Sequence, residues 1–233
     1  MNKLQISNAL FCILANNLLL LSKQIEYIMK VLIINGSPRK GGNTATALSE
    51  VAKVLEQQGI EVMNYQIGTK DIRGCIACNY CRLNDKCVFE DDVVELSAML
   101  QQADGVIIGS PVYFASANGS LIALLDRLFY STSFDKRMKV GASVAVARRG
   151  GCSATFDQLN KYFTVCGMPI ASSQYWNSVH GRNPGEAEQD LEGLQTMRTL
   201  AHNMAFLIKS IAIGKAQFGL PAKEEPLRTN FIE

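Results

Sequence analysis

A short apolar strand that runs into a glycine-rich polar loop and then into a helix constrains the fold more than any other feature of the sequence. Residues 31–35 read VLIIN, and residues 36–44 read GSPRKGGNT. Residues 45–58 have the apolar spacing of an amphipathic helix, which Gly59 ends. A strand that is apolar throughout is typical of a parallel sheet covered on both faces. The pattern therefore predicts an α/β fold.

The same alternation continues along the rest of the chain. Further strands are predicted at residues 61–67, 104–109, 140–147 and 169–175, and further helices at 121–130, 155–165 and 186–213. Strands that alternate with helices form a parallel sheet with helices on both faces. Five such strands fit the doubly wound order 2-1-3-4-5, in which ligands bind outside the carboxyl ends of the first and third strands.

Length and charge narrow the class of protein. Residues 29–233 are enough for one compact domain, and we expect residues 1–28 to be an extension outside the fold. A formal net charge of +2 gives no reason to expect a nucleic acid or an anionic membrane as partner. The apolar stretch at 9–21 is interrupted by Asn16 and Asn17 and is shorter than the roughly 20 residues of a membrane span.

The N-terminal stretch has two interpretations. It resembles the core of a signal peptide, with Lys3 ahead of it, but no small-x-small cleavage site separates it from the first strand. We favour Met29 as the biological start, with a signal or anchor as the alternative. The seven cysteines are an odd number, and without a convincing secretory signal they indicate a reducing cytoplasm rather than a disulfide scaffold.

Residues 36–44 are rich in hydrogen-bond donors for a phosphate. A phosphate at this position would meet free N–H groups and the positive end of the helix dipole. The side chains able to add hydrogen bonds are Ser37, Arg39, Asn43 and Thr44. The Gly-x-Gly-x-x-Gly dinucleotide signature and the P-loop ending are both missing from this segment, so a mononucleotide is favoured. The alternative is a capped helix behind a polar turn.

Two further loops are predicted at the same edge of the sheet. Residues 110–114 (SPVYF) follow the third strand, and residues 148–151 (RRGG) follow the fourth. Tyr113 or Phe114 can cover a flat aromatic ring, and backbone groups beside them can bond its edge. Arg148 and Gly150 are expected at the same ligand, where an arginine can face a flavin or a nicotinamide phosphate. The alternatives are ordinary aromatic packing and solvated arginines.

Four of the seven cysteines lie close together in the sequence. Cys75, Cys78, Cys81 and Cys87 fall within residues 68–91, a stretch after the second strand that is too long for a plain loop. Cysteines at this spacing can converge on one metal centre. Structural zinc, a loop held by packing with unused thiols, and redox-active disulfides are the alternatives.

Other polar residues receive structural interpretations. Asp91 and Asp92 are typical of a helix N-terminus. Asp126 and Arg127 are interpreted as an internal or intersubunit ion pair rather than a catalytic one. His180 follows the predicted fifth strand and can reach a ligand, or it is an ordinary loop histidine.

Several motifs resemble one family. Ser37-Pro38-Arg39 with Gly42-Asn43-Thr44, Ser110-Pro111-Val112-Tyr113 and Leu125-Asp126-Arg127-Leu128-Phe129 are similar to motifs of the NADPH-dependent FMN reductase group of flavodoxin-like proteins. The resemblance runs from about residue 29 to about residue 213. It implies a flavodoxin-like fold, FMN, a nicotinamide co-substrate and a homodimer or homotetramer. It implies that the FMN phosphate is held by Ser37, Arg39, Asn43 and Thr44. It implies that the isoalloxazine is wrapped by Pro111, Val112, Tyr113 and Phe114.

The cysteine spacing resembles the compact motif of the iron–sulfur flavoproteins, a branch of the same fold. That resemblance implies a [4Fe–4S] cluster, held by Cys75, Cys78, Cys81 and Cys87, that passes electrons to FMN. The leading hypothesis is an FMN-dependent NAD(P)H oxidoreductase, with a quinone, nitro compound, azo compound, flavin or protein as acceptor. In this group the flavin carries the chemistry, so no catalytic side chain is expected. An electron carrier reduced by ferredoxin and a non-catalytic, zinc-stiffened binding module are the alternatives.

Overall fold

The computed structural model of the chain describes residues 27–227, 229 and 231, so the stretch at 9–21 and its interpretations lie outside the described residues. The strands are β1 (Lys30–Asn35), β2 (Glu61–Gln66), β3 (Gly105–Tyr113), β4 (Ser116–Ala117), β5 (Val140–Ala147) and β6 (Ser178–His180). The helices are α1 (Asn43–Gln57), α2 (Cys81–Asn84), α3 (Asp92–Gln102), α4 (Gly119–Ser131), α5 (Cys152–Val165) and α6 (Leu191–Phe218), with a 3-10 turn at Glu186–Gln189.

The sheet has a parallel path of five strands with β3 at its centre. The order is β2-β1-β3-β5-β6, and each neighbouring pair along this path is parallel. The five parallel strands therefore follow the arrangement predicted as 2-1-3-4-5. The addition is β4, which pairs antiparallel with the end of β3 and makes a hairpin there.

The fifth strand predicted at residues 169–175 is wrong in its position. Only one bridge forms in that stretch, between Ile170 and Gly141, and the regular strand is β6. Between the two, the Ser173 hydroxyl bonds the Tyr175 carbonyl at 2.6 Å and the Asn177 side chain at 2.8 Å. Such local side-chain bonds stabilise a turn in place of the sheet ladder, so the chain leaves the sheet and returns to it at β6.

Alternate residues of β1 face two separate cores, which explains why the strand is apolar throughout. Val31 and Ile33 pack with α1 and α6 on one face of the sheet. Leu32 and Ile34 pack with α3, α4 and α5 on the other face. Among the described helices, none combines the length and the apolar character needed to cross a membrane.

Candidate functional site

The loop after β1 is fastened to the chain that follows β3. The Gly36 N–H donates to the Gly109 carbonyl at 2.7 Å, and the Asn118 side-chain amide donates to the Gly36 carbonyl at 2.7 Å. The Asn118 N–H in turn donates to the Ser110 hydroxyl at 3.0 Å. These bonds bring the predicted phosphate loop and the segment after β3 together at the carboxyl edge of the sheet.

The loop after β5 joins the same edge through Gly151. A Cβ atom on Gly151 would lie 2.9 Å from the Cα of Ala115 and 2.9 Å from a methyl carbon of Val112. Gly151 has a φ of +92°, which favours glycine. The loop therefore packs its backbone directly against the β3–β4 hairpin. All three predicted loops meet at one place.

The start of α1 has the groups that a phosphate requires. Ser37 and Thr44 are buried, and Arg39 is exposed at the surface. Gly42 is the N-cap residue of α1, and no side chain caps the start of the helix. Among the described residues, the N–H groups of Asn43, Thr44 and Ala45 find no backbone acceptor. Unpaired N–H groups at the positive end of a helix dipole bind anions.

The Asn43 side chain makes a contact between distant segments of the fold. Its side-chain oxygen accepts a hydrogen bond from the Ala187 N–H at 3.2 Å. A Cβ atom on Gly181 would lie 2.6 Å from the Asn43 side-chain nitrogen, so the two segments are in close contact. Asn43 therefore links α1 to the turn before α6. Its backbone N–H is therefore the group of Asn43 that faces the predicted phosphate loop, whereas the sequence pattern suggests the side-chain amide.

The β3–β4 hairpin presents two aromatic residues in a strained turn. Pro111 and Val112 are partly buried, Tyr113 is 45% exposed and Phe114 is fully exposed. Phe114 and Ala115 have φ angles of +51° and +58°, in the left-handed region. Non-glycine residues in this region cost about 1–3 kcal/mol each and cluster at ligand sites. The hairpin thus holds an unpacked aromatic ring at the edge where the loops meet.

The remaining predicted residues of this edge are exposed. Arg148 and Gly150 lie on the surface, and a Cβ atom on Gly150 would contact nothing within 4 Å. His180 is held instead by Asp190, which accepts its backbone N–H at 2.6 Å and lies 3.4 Å from its ring nitrogen. Arg148 and Gly150 are thus open to a ligand, while His180 is tied to the start of α6.

The Cys152 thiol also lies near this edge, at the first position of α5. Its Sγ is 4.0 Å from the Ala145 carbonyl. Burial, reinforced by the charge of Asp190, raises the pKa of the Cys152 thiol above its usual value. A raised pKa leaves less of the thiol ionised at neutral pH, which makes Cys152 a weaker nucleophile than an ordinary cysteine.

The four clustered cysteines come together in space. Cys75, Cys78, Cys81 and Cys87 all line one pocket of about 30 Å³ against the end of α4. Cys75 and Cys78 are exposed, and the other two are half-buried. Within the described residues, no three histidine, cysteine or acidic side chains are close enough to hold one metal ion.

The backbone of the cysteine loop has left-handed residues on both sides of Cys78. Ala77 and Asn79, on either side of Cys78, have φ angles of +53° and +56°. The Ala77 N–H donates to the Cys75 sulfur at 3.4 Å. These left-handed residues turn the chain around Cys78, and we expect such strain where a loop is shaped for a ligand.

Arg127 is buried beside this pocket, with 1% of its surface exposed. Its guanidinium makes two hydrogen bonds of 2.7 Å to Asp91. Burial opposes ionisation of Asp91, but the hydrogen bonds from Arg127 and the Val93 N–H outweigh it and lower the pKa of Asp91. The ion pair predicted between Asp126 and Arg127 does not form within the chain, because Asp126 instead accepts a hydrogen bond from the Tyr162 hydroxyl at 2.5 Å.

The sequence pattern does not reveal the ion pair of Asp91 with Arg127, because the position of Asp91 already fits a helix N-terminal cap. Asp91 does cap α3, since it accepts the Val93 N–H at 3.2 Å. The same carboxylate also neutralises Arg127, which lies on another helix. An arginine on the otherwise apolar face of α4, beside Leu124 and Leu128, is the signal in the sequence that a buried acidic partner is required.

A cleft of about 880 Å³ lies at the opposite edge of the sheet. It is lined by residues before the strands, including Met29, Asp104 and Lys139. Tyr27 bonds Asp104 at 2.9 Å there, and burial together with that bond raises the pKa of Tyr27 to about 12. Because ligands of open α/β sheets bind at the carboxyl ends of the strands, we place the functional site at the loop edge.

The geometry of this edge agrees with a family comparison. Residues 29–183 match the NADPH-dependent FMN reductase family. The chain belongs to that family. Its fold is also similar to that of a WrbA-like flavodoxin from Agrobacterium tumefaciens, with a TM-score of 0.54 and 17% identity over 79% of this chain and 99% of that one. The fold of this family member is therefore flavodoxin-like.

Two relatives of this chain are both named iron-sulfur flavoproteins. An iron-sulfur flavoprotein of Methanocaldococcus jannaschii is 36% identical over 191 residues, which cover 78% of this chain and 99% of the relative. An iron-sulfur flavoprotein of Methanosarcina thermophila is 33% identical over 190 residues, which cover 78% of this chain and 97% of the relative. As a member of the FMN reductase family, the chain is an FMN-dependent oxidoreductase.

Proposed function

We propose that FMN binds at the edge where the three loops meet, with its phosphate at the start of α1. The observation that carries this proposal is the set of unpaired N–H groups at Asn43, Thr44 and Ala45, beside the buried hydroxyls of Ser37 and Thr44. Arg39 adds a positive charge at the rim. The donors present fit a phosphate monoester, since they provide hydrogen bonds and positive potential at one point.

The isoalloxazine ring lies in this proposal against the surface that the β3–β4 hairpin and the loop after β5 form together. The backbone of Pro111 and Val112 provides polar groups for the ring edge, and Tyr113 and Phe114 provide aromatic surface. Gly151 packs against the hairpin and leaves Arg148 and Gly150 facing outward. These residues position the ring and exclude water from one of its faces.

The cysteine loop holds a [4Fe–4S] cluster in this proposal, with Cys75, Cys78, Cys81 and Cys87 as ligands. Zinc requires four sulfurs at about 2.3 Å from a single ion. The described side chains do not converge on one ion. The choice of a cluster, whose irons each take one thiolate, is supported by the cysteine spacing and by the relatives named iron-sulfur flavoproteins. The pocket of about 30 Å³ holds little more than a water molecule, so cluster assembly requires the exposed Cys75–Cys78 segment to move outwards.

The activity proposed is the transfer of electrons from NAD(P)H to a small-molecule or protein acceptor. Bound FMN would supply hydride and electron transfer, the chemistry that no side chain of the protein can supply. The chain binds the phosphate, orients the ring and leaves the face beside the exposed Phe114 open to donor and acceptor. We propose a homodimer or homotetramer as the working form.

A second candidate is an electron carrier that takes electrons from ferredoxin. The observation that favours it is the exposure of the cysteine pocket, where Cys75 and Cys78 reach the surface beside the exposed Ile76 and Leu83. A protein donor can approach such a surface directly. The start of α4 lies at the loop edge and Arg127 at the cysteine pocket, so the helix spans about 12 Å between the two sites.

The two candidates are separated by the electron donor. The flavin absorbance of the full-length protein is followed without air after addition of NADPH, NADH or reduced ferredoxin, in wild type, Cys78→Ser and the control Cys166→Ser. Reduction by NAD(P)H that persists in Cys78→Ser supports the oxidoreductase. Reduction by ferredoxin alone that is lost in Cys78→Ser supports the carrier. Protein that binds no FMN overturns both.

A further inference from the structure

The buried guanidinium of Arg127 contacts one of the four cysteines directly. Its Nε lies 3.4 Å from the Cys87 sulfur, and its Nη2 lies 3.3 Å from the same atom. Both distances are within the range of N–H···S hydrogen bonds, and both donors point at one thiol. Cys75, Cys78 and Cys81 receive no comparable pair of side-chain donors among the described residues.

The position of Arg127 is fixed from three other directions. Asp91 receives two of its N–H bonds, and the Arg73 carbonyl accepts a third at 3.3 Å. The ring of Phe89 lies 5.0 Å from the guanidinium carbon. An arginine cannot lose its proton in a protein, so a permanent positive charge is held against the Cys87 sulfur.

We infer that Arg127 is a positioning residue that tunes the cysteine centre by donating two hydrogen bonds to the Cys87 sulfur. The inference rests on the proposed cluster, because Cys87 is one of its four proposed ligands. Hydrogen bonds to ligand sulfurs and the local net charge set the reduction potential of an iron–sulfur cluster. Both effects stabilise the reduced, more negative state. Arg127 therefore makes the cluster easier to reduce, and Asp91 partly offsets its charge.

Substitution of either residue of the ion pair tests this inference, because the two changes alter the local charge in opposite senses. Arg127→Met removes the donors and the charge but keeps a long side chain. Asp91→Asn keeps a hydrogen-bond acceptor and a helix cap while removing the negative charge. Arg127→Lys keeps the charge without the planar fork. Asp126→Asn is the matched control, since Asp126 is exposed and bonds Tyr162.

The measurement is a redox titration of the full-length protein without air, with dithionite and mediators, followed by electron paramagnetic resonance of the cluster. Arg127→Met is expected to lower the equilibrium constant for one-electron reduction at least tenfold, a shift of about 59 mV. Asp91→Asn is expected to raise this equilibrium constant, and Asp126→Asn is expected to leave it unchanged. The constant of Arg127→Lys should lie between those of wild type and Arg127→Met.

A purely structural role gives a different result. In that case Arg127→Met and Asp91→Asn lower thermal stability together while the cluster potential stays at its wild-type value, which would overturn the inference. If Arg127→Met does not fold, Asp91→Asn and Arg127→Lys still decide the question by their potentials. If wild-type protein gives no cluster signal, the proposed cluster site fails and the inference fails with it. A signal with unshifted potentials overturns the role of Arg127 alone.

Discussion

The backbone of Gly151 lies so close to the backbone of Ala115 that a Cβ atom on Gly151 would come within 2.9 Å of the Ala115 Cα. This contact joins the loop after β5 to the β3–β4 hairpin, the two segments against which we place the isoalloxazine. Gly151 also has a φ of +92°. Both the space and the backbone conformation therefore require glycine at this position.

Gly151→Ala is expected to weaken FMN binding and lower stability together. A left-handed conformation alone costs an alanine about 1–2 kcal/mol, which corresponds to a fall of about 2–8 °C in Tm for a domain of this size. Displacement of the hairpin adds to this and is expected to weaken FMN binding. Fluorescence titration with FMN and thermal unfolding measure both effects. Gly59→Ala, which has a φ of +77° but meets open space at the far end of α1, is the control for the backbone cost, and an equal loss of FMN affinity in both variants would contradict the hairpin contact.

Thr44→Val is expected to weaken the binding of the FMN phosphate without changing the binding of the rest of the flavin. Valine keeps the volume of the buried threonine but not its hydroxyl, and a hydrogen bond to a charged group contributes about 1.5–3 kcal/mol. FMN affinity should therefore fall roughly 10- to 150-fold, while affinity for riboflavin, which has no phosphate, stays constant. Ser49→Ala, on the exposed side of the same helix, should change neither. An equal loss for FMN and riboflavin would show that Thr44 does not contact the phosphate.

Substitution of Cys75, Cys78, Cys81 or Cys87 by serine is expected to abolish iron binding without loss of FMN. The four thiols line one pocket, so each provides one of the four ligands of the proposed cluster. Iron and flavin content per chain are measured after purification without air. Cys166→Ser changes a half-buried cysteine outside the loop and should retain about four irons per chain. Full iron content in any of the four variants would remove that cysteine from the ligand set.

Asp91→Asn is expected to lower stability at neutral pH but not in acid. Arg127 is left without its counter-charge, and removal of one partner of a buried pair costs up to about 3–5 kcal/mol, less here because Asp91 is partly exposed. The folded pKa of Asp91 is lowered, so the contribution is complete above the unfolded pKa of about 3.9 and is lost as the pH falls through the folded value.

Urea unfolding of wild type and Asp91→Asn between pH 7 and pH 3 measures this dependence. The difference in free energy of unfolding should stay constant from pH 7 to about pH 5 and should shrink below about pH 4. Asp126→Asn should not show this pattern. A difference that grows in acid would mean that the folded pKa of Asp91 is raised rather than lowered.

Substitution of the two left-handed residues of the hairpin, Phe114 and Ala115, is expected to raise stability in both variants but to change the flavin site in only one. Asparagine and glycine adopt the left-handed region more readily than phenylalanine and alanine, and Phe114 makes no packing contact because it is fully exposed. A left-handed residue costs about 1–2 kcal/mol, and glycine loses about 0.5–1 kcal/mol of that gain to chain entropy. Phe114→Asn and Ala115→Gly should therefore each raise stability by up to about 1 kcal/mol. Only Phe114→Asn removes aromatic surface, so only that variant should change the flavin spectrum or NAD(P)H oxidation. A loss of stability in both would show that the turn is not strained.

The parts of the fold that could be predicted from sequence are those with a regular pattern. The strand at 31–35 was recognisable because its residues are buried on both faces, and the loop after it because glycine and hydroxyl residues precede a helix. The position of β6 was not predictable. Residues 169–175 have strand propensity, but the Ser173 side chain bonds its own neighbours and forms a turn instead.

The ion pair of Arg127 shows a second kind of limit on sequence-based prediction. Asp126 is adjacent in the chain, but successive helical residues point in different directions, so it faces Tyr162. Asp91 lies 36 positions away and reaches Arg127 only because the cysteine loop packs against α4. A contact between distant segments depends on tertiary packing, which no local spacing encodes. The four cysteines line one pocket because they lie within thirteen residues of one loop, and their role as ligands stays a prediction.

The visible absorption spectrum of full-length protein purified without air tests the central claim most directly. The account predicts two flavin bands with a broad brown shoulder that disappears on exposure to oxygen or an iron chelator, with FMN and iron both bound to the chain. Flavin bands without the shoulder would contradict the cluster. A colourless protein with stoichiometric zinc and no FMN would contradict the proposed function as a whole.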